Sequence, residues 1–136
     1  MARVTNGVVA DMTGVLALAE ELKLIRSRLQ PAMRSVTSDS AMRIRQDARA
    51  RWKAQTTGQR TRKYPQTITM EVTMATAALV MAEVGPQKGR QGSFGHLFEF
   101  GNSMSPGKPH LVPAWEVEGP KYVAALGLAA QRAMLP

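Results

Sequence analysis

The sequence predicts an α+β fold, in which helices at both ends of the chain pack on a small antiparallel sheet. Apolar residues recur at helical spacing from Leu18 to Leu29, alternate with polar residues from Thr67 to Met74, and return to helical spacing from Val123 to Met134. The 136 residues suffice for one domain with a single core. We therefore predict one domain over residues 1–136.

The spacing of apolar residues in the N-terminal part of the chain predicts a helical half over residues 12–54. Its first helix is amphipathic, and Pro31 is expected to stop or kink it, because proline removes one helical hydrogen bond. A second helical stretch is expected from about residue 40 to residue 54. A short extended piece with a turn at Asn6-Gly7 precedes the helices.

The middle of the chain predicts a sheet of three to four strands over residues 67–101, including strands at about 67–74, 77–84 and 96–101. The alanine-rich stretch 77–84 is also compatible with a helix. Residues 85–95 contain four glycines and a proline, so we expect a flexible loop there that orders only on assembly.

After the third predicted strand, Gly101-Asn102 supplies the residues of a turn. Prolines at 106, 109 and 113 then restrict the backbone, which predicts a stiff, exposed arm over residues 101–115 that is suited to docking on a neighbour. A C-terminal helix over 119–134 is expected to begin near Gly119-Pro120, since proline is tolerated in a first helical turn.

Positive charge is concentrated in one part of the chain, although the whole chain carries +8. Residues 43–63 contain eight basic residues, and Asp47 is their only acidic residue. Such a cluster suits DNA phosphate or an acidic protein surface, although a solvated helix face is the simpler interpretation. We call these eight residues the basic patch: Arg43, Arg45, Arg49, Arg51, Lys53, Arg60, Arg62 and Lys63.

Catalytic, metal and cofactor sites are not predicted. The chain has no cysteine, and His96, Glu99 and His110 are the only residues that suggest acid–base or metal chemistry. On a strand, the three-residue spacing of His96 and Glu99 would direct them to opposite faces. We therefore expect neither an enzyme nor a protein with a small-molecule substrate. No apolar run reaches the roughly 20 residues of a membrane span, so no membrane partner is expected.

The order Phe98-Glu99-Phe100-Gly101, a Ser/Met/Pro turn, then a proline-rich stretch ending in Pro113-Ala114, resembles the tail-component family of long-tailed bacteriophages. The chain departs from the usual pattern of that family at Asn102 and His110. The resemblance, together with the stiff arm, assigns subunit docking to a set of residues in and around this motif: Phe98, Glu99, Phe100, Gly101, Pro109, Leu111, Pro113, Ala114 and Trp115.

The resemblance implies a structural virion protein that joins head to tail or completes the tail. Its partners would be copies of itself in a ring, expected to be hexameric, neighbouring neck and tail-tube proteins, and the DNA that passes through the channel. It would lie in the neck or proximal tail, after assembly in the host cytoplasm. The alternative is a small nucleic-acid-binding protein that acts through residues 43–63.

Overall fold

The computed structural model describes residues 3–5, 8–58, 61–76 and 78–135. The fold is mixed, as predicted. A long helix, α1 (Thr13–Gln55), packs against a two-stranded hairpin and against the last helix, α4 (Leu111–Met134). Within these ranges, no helix combines the length and apolar content needed to span a membrane.

Helix α1 is continuous through Pro31, so the predicted stop there and the separate second helix from about residue 40 are wrong. A proline removes one backbone donor, and packing can compensate for that loss. Helix α4 runs antiparallel along this part of α1: Arg43 binds Glu118 at one end, and Arg28 donates to the carbonyl oxygen of Leu135 at the other. The start of α1 is fixed by Asp11, whose carboxylate accepts from the backbone N–H of Thr13.

The described sheets are two separate hairpins, not one sheet of three to four strands. The short strands β1 (Arg3–Thr5) and β2 (Val8–Ala10) pair on either side of the predicted turn, whose Asn6 and Gly7 lie outside the described residues. The main hairpin pairs β3 (Ile68–Ala75) with β4 (Val80–Pro86), so the strand interpretation of 77–84 is confirmed from residue 80 onwards.

The predicted third strand at 96–101 is wrong, because the chain there forms helix α3 (Gly95–Phe100). On a strand, Phe98 and Glu99 would point to opposite faces. In the helix, Phe98 packs against the core and the adjacent Glu99 is buried as well. The aromatic-rich composition favoured a strand, but burial of these two neighbours requires the helical arrangement.

Most of residues 85–95 form regular structure, in contrast to the predicted flexible loop, and only residues 87–89 lie between elements. Strand β4 continues to Pro86, a short 3-10 helix spans Arg90–Phe94, and α3 begins at Gly95. Here two of the glycines serve close packing: a Cβ atom at Gly92 would collide with the backbone of Gln87, and one at Gly95 would collide with Pro86.

Helix α4 begins at Leu111, eight residues before the predicted start at 119, and Pro120 lies inside it. The predicted arm over 101–115 is therefore non-helical only as far as His110. The face of α4 that is buried includes Ala129 and Ala133, whereas Val123 and Met134 are exposed.

A short helix, α2 (Tyr64–Thr67), leads into β3 and completes the core. That core comprises Ile44, Ala48, Trp52, Tyr64, Ile68 and Ala114, with Val84, Phe98 and Leu111 packed at its edge.

Candidate functional site: the Glu99 cap and the surfaces around it

The carboxylate of Glu99 caps the N-terminus of α4. Its Oε2 accepts from the backbone N–H groups of His110 and Leu111, both at 3.0 Å, and its Oε1 accepts from that of Val112 at 2.9 Å. The next residue, Pro113, has no N–H, and Ala114 donates to the carbonyl oxygen of His110. All the backbone donors that open this helix are therefore satisfied, although its N-cap residue is a histidine.

Glu99 is only 4% exposed, yet it is stabilised as an anion. Burial alone would raise the pKa of its carboxyl group, but the backbone N–H groups of Leu111, Val112 and His110, with the charge of a protonated His110, outweigh burial and lower that pKa. The helix dipole of α4 acts in the same direction. A buried negative charge is thus matched to the positive end of a helix.

His110 links this cap to Tyr64 inside the core. Its Nδ1 lies 2.9 Å from Oε2 of Glu99 and 2.8 Å from the carbonyl oxygen of Lys108, so Nδ1 carries a proton, because both neighbours are acceptors. In the neutral ring, Nε2 then accepts from the hydroxyl of Tyr64, 2.9 Å away. Burial, and secondly the charge of Glu99, raise the pKa of Tyr64 to about 12.

An aromatic cluster encloses these polar groups. Trp52, Tyr64 and Phe98 lie with their ring centroids 4.6 to 4.8 Å apart, and Trp52 and Tyr64 also contact the ring of His110. His110 and Tyr64 are fully buried. A substrate has no access to this Glu–His–Tyr arrangement from solvent, so its chemistry is structural: it fixes the position of α3 relative to the start of α4.

His96 does not belong to this arrangement. The prediction placed His96 and Glu99 on opposite faces of a strand, but both lie on α3, where Glu99 is buried and His96 is exposed. The ring of His96 contacts that of Phe100, with centroids 5.1 Å apart. Within the described ranges, no group of three or more His, Asp and Glu residues is arranged to hold a metal ion.

A tight turn connects α3 to α4. Gly101 ends α3 with a φ of +75°, and a Cβ atom there would collide with the backbone of Gly107. The side chain of Asn102 accepts from the N–H groups of Met104 and Ser105, and Lys108 donates its N–H to Phe98. Gly107 packs so closely on Glu99 that a Cβ atom would lie 2.6 Å from its carbonyl oxygen.

The predicted docking residues divide into interior and surface groups. Glu99 and Ala114 are buried within the subunit, and the partly buried Phe98 and Leu111 pack on the core. Gly101 and Pro113 are half-buried, and Pro109 is exposed. The large exposed members of the predicted set are Phe100, at 65% exposure, and Trp115, at 52%.

Phe100 extends an exposed apolar surface that the sequence interpretation missed. Phe94, Leu97 and Phe100 follow one another at three-residue spacing through the 3-10 helix and α3, and they are 51%, 44% and 65% exposed. Met104, in the turn beyond, is 93% exposed. We call Phe94, Leu97 and Phe100 the α3 ridge. The three-residue spacing of the ridge would have revealed it in the sequence only if this segment had been predicted to be helical.

Trp115 lines an open groove of about 520 Å³ between α1, β4 and α4. Its walls are mainly apolar and include Ile44, Val84 and Leu111. The indole also packs against Gly119, one turn further along α4. The second exposed member of the predicted docking set therefore lies beside a surface depression and not on an isolated arm.

The basic patch is partly engaged within the subunit. Arg43 binds Glu118 at 2.8 Å, Arg51 binds Asp47 at 3.1 Å, and Arg49 donates to the carbonyl oxygen of Ile68. Burial, and the nearby charge of Arg45, lower the pKa of Arg49. Lys53, Arg62 and Lys63 are exposed, and Arg60 lies outside the described residues.

Comparison of this chain with protein-family models, curated proteins and solved structures found no match. Its function is therefore inferred from the chain's own residues and surfaces.

Proposed function

We propose that this protein is a structural subunit of the neck of a long-tailed bacteriophage, which joins head to tail or completes the tail as a ring of copies. The α3 ridge carries this proposal. Exposed apolar surface of this kind is typical of protein contacts that form after folding. Its most exposed member, Phe100, belongs to the motif that resembles the phage tail-component family, and the Glu99 cap and the Gly101 turn hold the ridge in a fixed position.

The ring is proposed to contain six copies, in contact with neighbouring neck and tail-tube proteins and located in the neck or proximal tail of the virion. The motif contains both buried and exposed residues, which supports one role inside the subunit and another at its surface. Its interior residues build the cap of α4, while Phe100 and Trp115 remain exposed for contacts with neighbours. A rigid presentation of such residues lowers the entropic cost of association.

Complementation of a phage that lacks the gene tests this proposal. Phe100→Ser should leave the fold intact and yield unjoined heads and tails in electron micrographs, because it removes the most exposed side chain of the α3 ridge. Val123→Ser is the matched control, since Val123 is 66% exposed but lies on α4, away from the ridge. Equal joining by Phe100→Ser, Val123→Ser and the wild type would contradict the proposal.

The second candidate is a nucleic-acid-binding protein that acts through residues 43–63. One observation favours it: Lys63 and Lys88 both line a polar surface depression that also includes Gln66 and Gln87, so the positive surface extends beyond the patch. Basic side chains beside amide groups suit phosphate contacts. Retention of the protein on duplex DNA at physiological salt, together with normal joining by Phe100→Ser, would favour this candidate.

A further inference from the structure

The N-terminal part of α1 extends beyond the body of the subunit. Helix α4 runs antiparallel to α1 and ends where Leu135 accepts a hydrogen bond from Arg28, at 2.7 Å. Residues 13–27 of α1 therefore lie beyond the end of α4. All of them are exposed except Ala19 and Ile25, which are intermediate.

This extension continues the buried stripe of α1. The stripe runs through the core at Trp52, Ala48, Ile44, Ala41 and Thr37. Steps of three and four residues carry the same stripe on towards the N-terminus, through Met33, Leu29, Ile25, Leu22, Leu18 and Val15. The interface that α4 covers in the body thus continues, with the same spacing, where no described residue covers it. We call Val15, Leu18, Leu22 and Ile25 the open stripe.

The open stripe has the spacing of a heptad seam. Val15 and Leu22 occupy position a, and Leu18 and Ile25 occupy position d. Val15, Leu18 and Leu22 are 54% to 56% exposed. Two heptads are too few for an independent coiled coil. In this protein, however, the helix is already held by the body of the subunit, so association does not have to form it.

Charges beside the open stripe identify its partner. Glu21 occupies position g and Arg26 position e, five residues later. In parallel helices, position g of one chain lies beside position e of the next heptad of its neighbour, so Glu21 would meet Arg26 of a second copy. In the antiparallel register that keeps the four residues of the open stripe in contact, Glu21 would instead meet Glu21 of the second copy. Neither residue forms an ion pair with another described residue.

The proposed ring gives this helix a neighbour on each side, and its cyclic symmetry is compatible with a parallel arrangement.

We propose that residues 13–27 of α1 pack side by side, in parallel, against the same segment of neighbouring copies of this chain. This inference rests on the proposed ring and names one of the contacts that would close it. The association uses the apolar surface of the open stripe. The contact between Glu21 and Arg26 sets the direction of neighbouring helices.

A charge exchange tests the parallel arrangement. Glu21→Arg and Arg26→Glu should each weaken self-association of the full chain, measured by sedimentation over a range of concentrations, because each places like charges at every contact. The double variant Glu21→Arg/Arg26→Glu should restore it, and so should an equimolar mixture of the two single variants. Leu22→Gln should weaken self-association about tenfold, without rescue by any charge change.

Cross-linking then measures the number of neighbours. The chain contains no cysteine, so introduced thiols are the only ones present. With a short bis-maleimide, the variant Glu21→Cys/Arg26→Cys should give a ladder of covalent multimers that ends at the copy number of the ring. The control Glu20→Cys/Ser27→Cys places thiols opposite the open stripe and should give no covalent multimers.

The outcomes separate this inference from the ring itself. If the wild type forms a multimer that the charge variants and Leu22→Gln leave unchanged, the ring stands and the contact through α1 is wrong. A cross-linked ladder that stops at the dimer would also overturn the inference. If the wild type remains monomeric at all concentrations, or if residues 13–27 instead bind anionic vesicles, both the ring and this contact fail.

Discussion

The guanidinium of Arg49 donates two hydrogen bonds, of 3.0 and 2.6 Å, to the carbonyl oxygen of Ile68. This contact ties the C-terminal part of α1 to the first residue of β3. A residue that the sequence assigned to a charged binding surface therefore stabilises the junction between helix and hairpin. Its replacement would not measure DNA binding or docking alone.

The first prediction separates these roles. Arg49→Glu should lower the free energy of unfolding by about 2 kcal/mol, because the substitution removes a charged donor from a partly buried carbonyl group. Lys53→Glu and Arg62→Glu should change it by less than about 0.5 kcal/mol, since both side chains are exposed. Urea denaturation provides the measurement. A stability of Arg49→Glu equal to that of Lys53→Glu would show that the hydrogen bonds to Ile68 contribute nothing.

The exposed pair then tests the charge of the surface. If DNA is the partner, Lys53→Glu and Arg62→Glu should each remove a phosphate interaction and so flatten the dependence of log affinity on log salt by nearly one. If an acidic protein surface is the partner, the same variants should impair head-to-tail joining while binding of duplex DNA stays weak. Wild-type behaviour in both assays would identify the patch as a solvated face only.

A second prediction concerns the cap of α4. Glu99→Gln should lower the free energy of unfolding by about 2 to 4 kcal/mol, because it removes the charge that three backbone N–H groups share and places an NH2 donor where one oxygen accepted a hydrogen bond. Glu116→Gln is the matched control on the exposed side of α4 and should cost less than about 0.5 kcal/mol. Equal losses from the two variants would argue against the cap.

The same carboxylate predicts a pH dependence in acid. The folded state lowers the pKa of Glu99, so the unfolded chain binds this proton more tightly. Its contribution to stability is therefore complete above the unfolded pKa, about 4.3, and disappears as pH falls through the folded value. Wild-type protein should lose stability below about pH 4.3 more steeply than Glu99→Gln. Parallel pH profiles for the two proteins would contradict this assignment.

At alkaline pH the buried tyrosine becomes the sensitive group. The pKa of Tyr64 is raised from 10.0 to about 12. The contribution of its protonated hydroxyl to the free energy of unfolding is therefore fully present below pH 10 and is lost as pH rises towards 12. Over that interval the loss amounts to about 2 to 3 kcal/mol. Tyr64→Phe should be less stable at neutral pH by about 1 kcal/mol, since it gives up the hydrogen bond to His110, but it should lack this alkaline dependence.

The turn between α3 and α4 gives a further prediction. Gly101→Val should cost more than about 2 kcal/mol, because a β-branched residue resists the φ of +75° and its Cβ atom meets Gly107. Pro113→Ala should cost about 1 kcal/mol or less, since the helix continues through this position without needing its N–H. Thermal unfolding followed by circular dichroism measures both. Normal stability of Gly101→Val would show that the turn can rearrange.

Periodicity allowed part of this fold to be predicted. The alternation from Thr67 to Met74 identified β3, and the helical spacing from Leu18 identified the N-terminal half of α1. Composition misled where tertiary contacts decide the structure. Leu97, Phe98 and Phe100 favour a strand locally, but burial of Glu99 beside Phe98 requires a helix.

The candidate site shows the same limit. The sequence singled out the short motif around Glu99, but nothing local reveals that Glu99 caps a helix that begins at Leu111, 12 residues later. The pairing of Arg43 with Glu118 spans 75 residues and has no local signal. The charge of the basic patch was visible in the sequence, whereas the engagement of Arg43, Arg49 and Arg51 was not.

Because its cap comes from another helix, α4 has two possible beginnings. Pro120 offers a local start, since proline suits a first helical turn, and any helix that a peptide of α4 alone forms should begin there. The turns from Leu111 to Glu118 depend on Glu99, and hence on α3, the Gly101 turn and the core around Tyr64. Helicity in this stretch, including the backbone that carries Trp115, is therefore conditional on folding elsewhere in the chain.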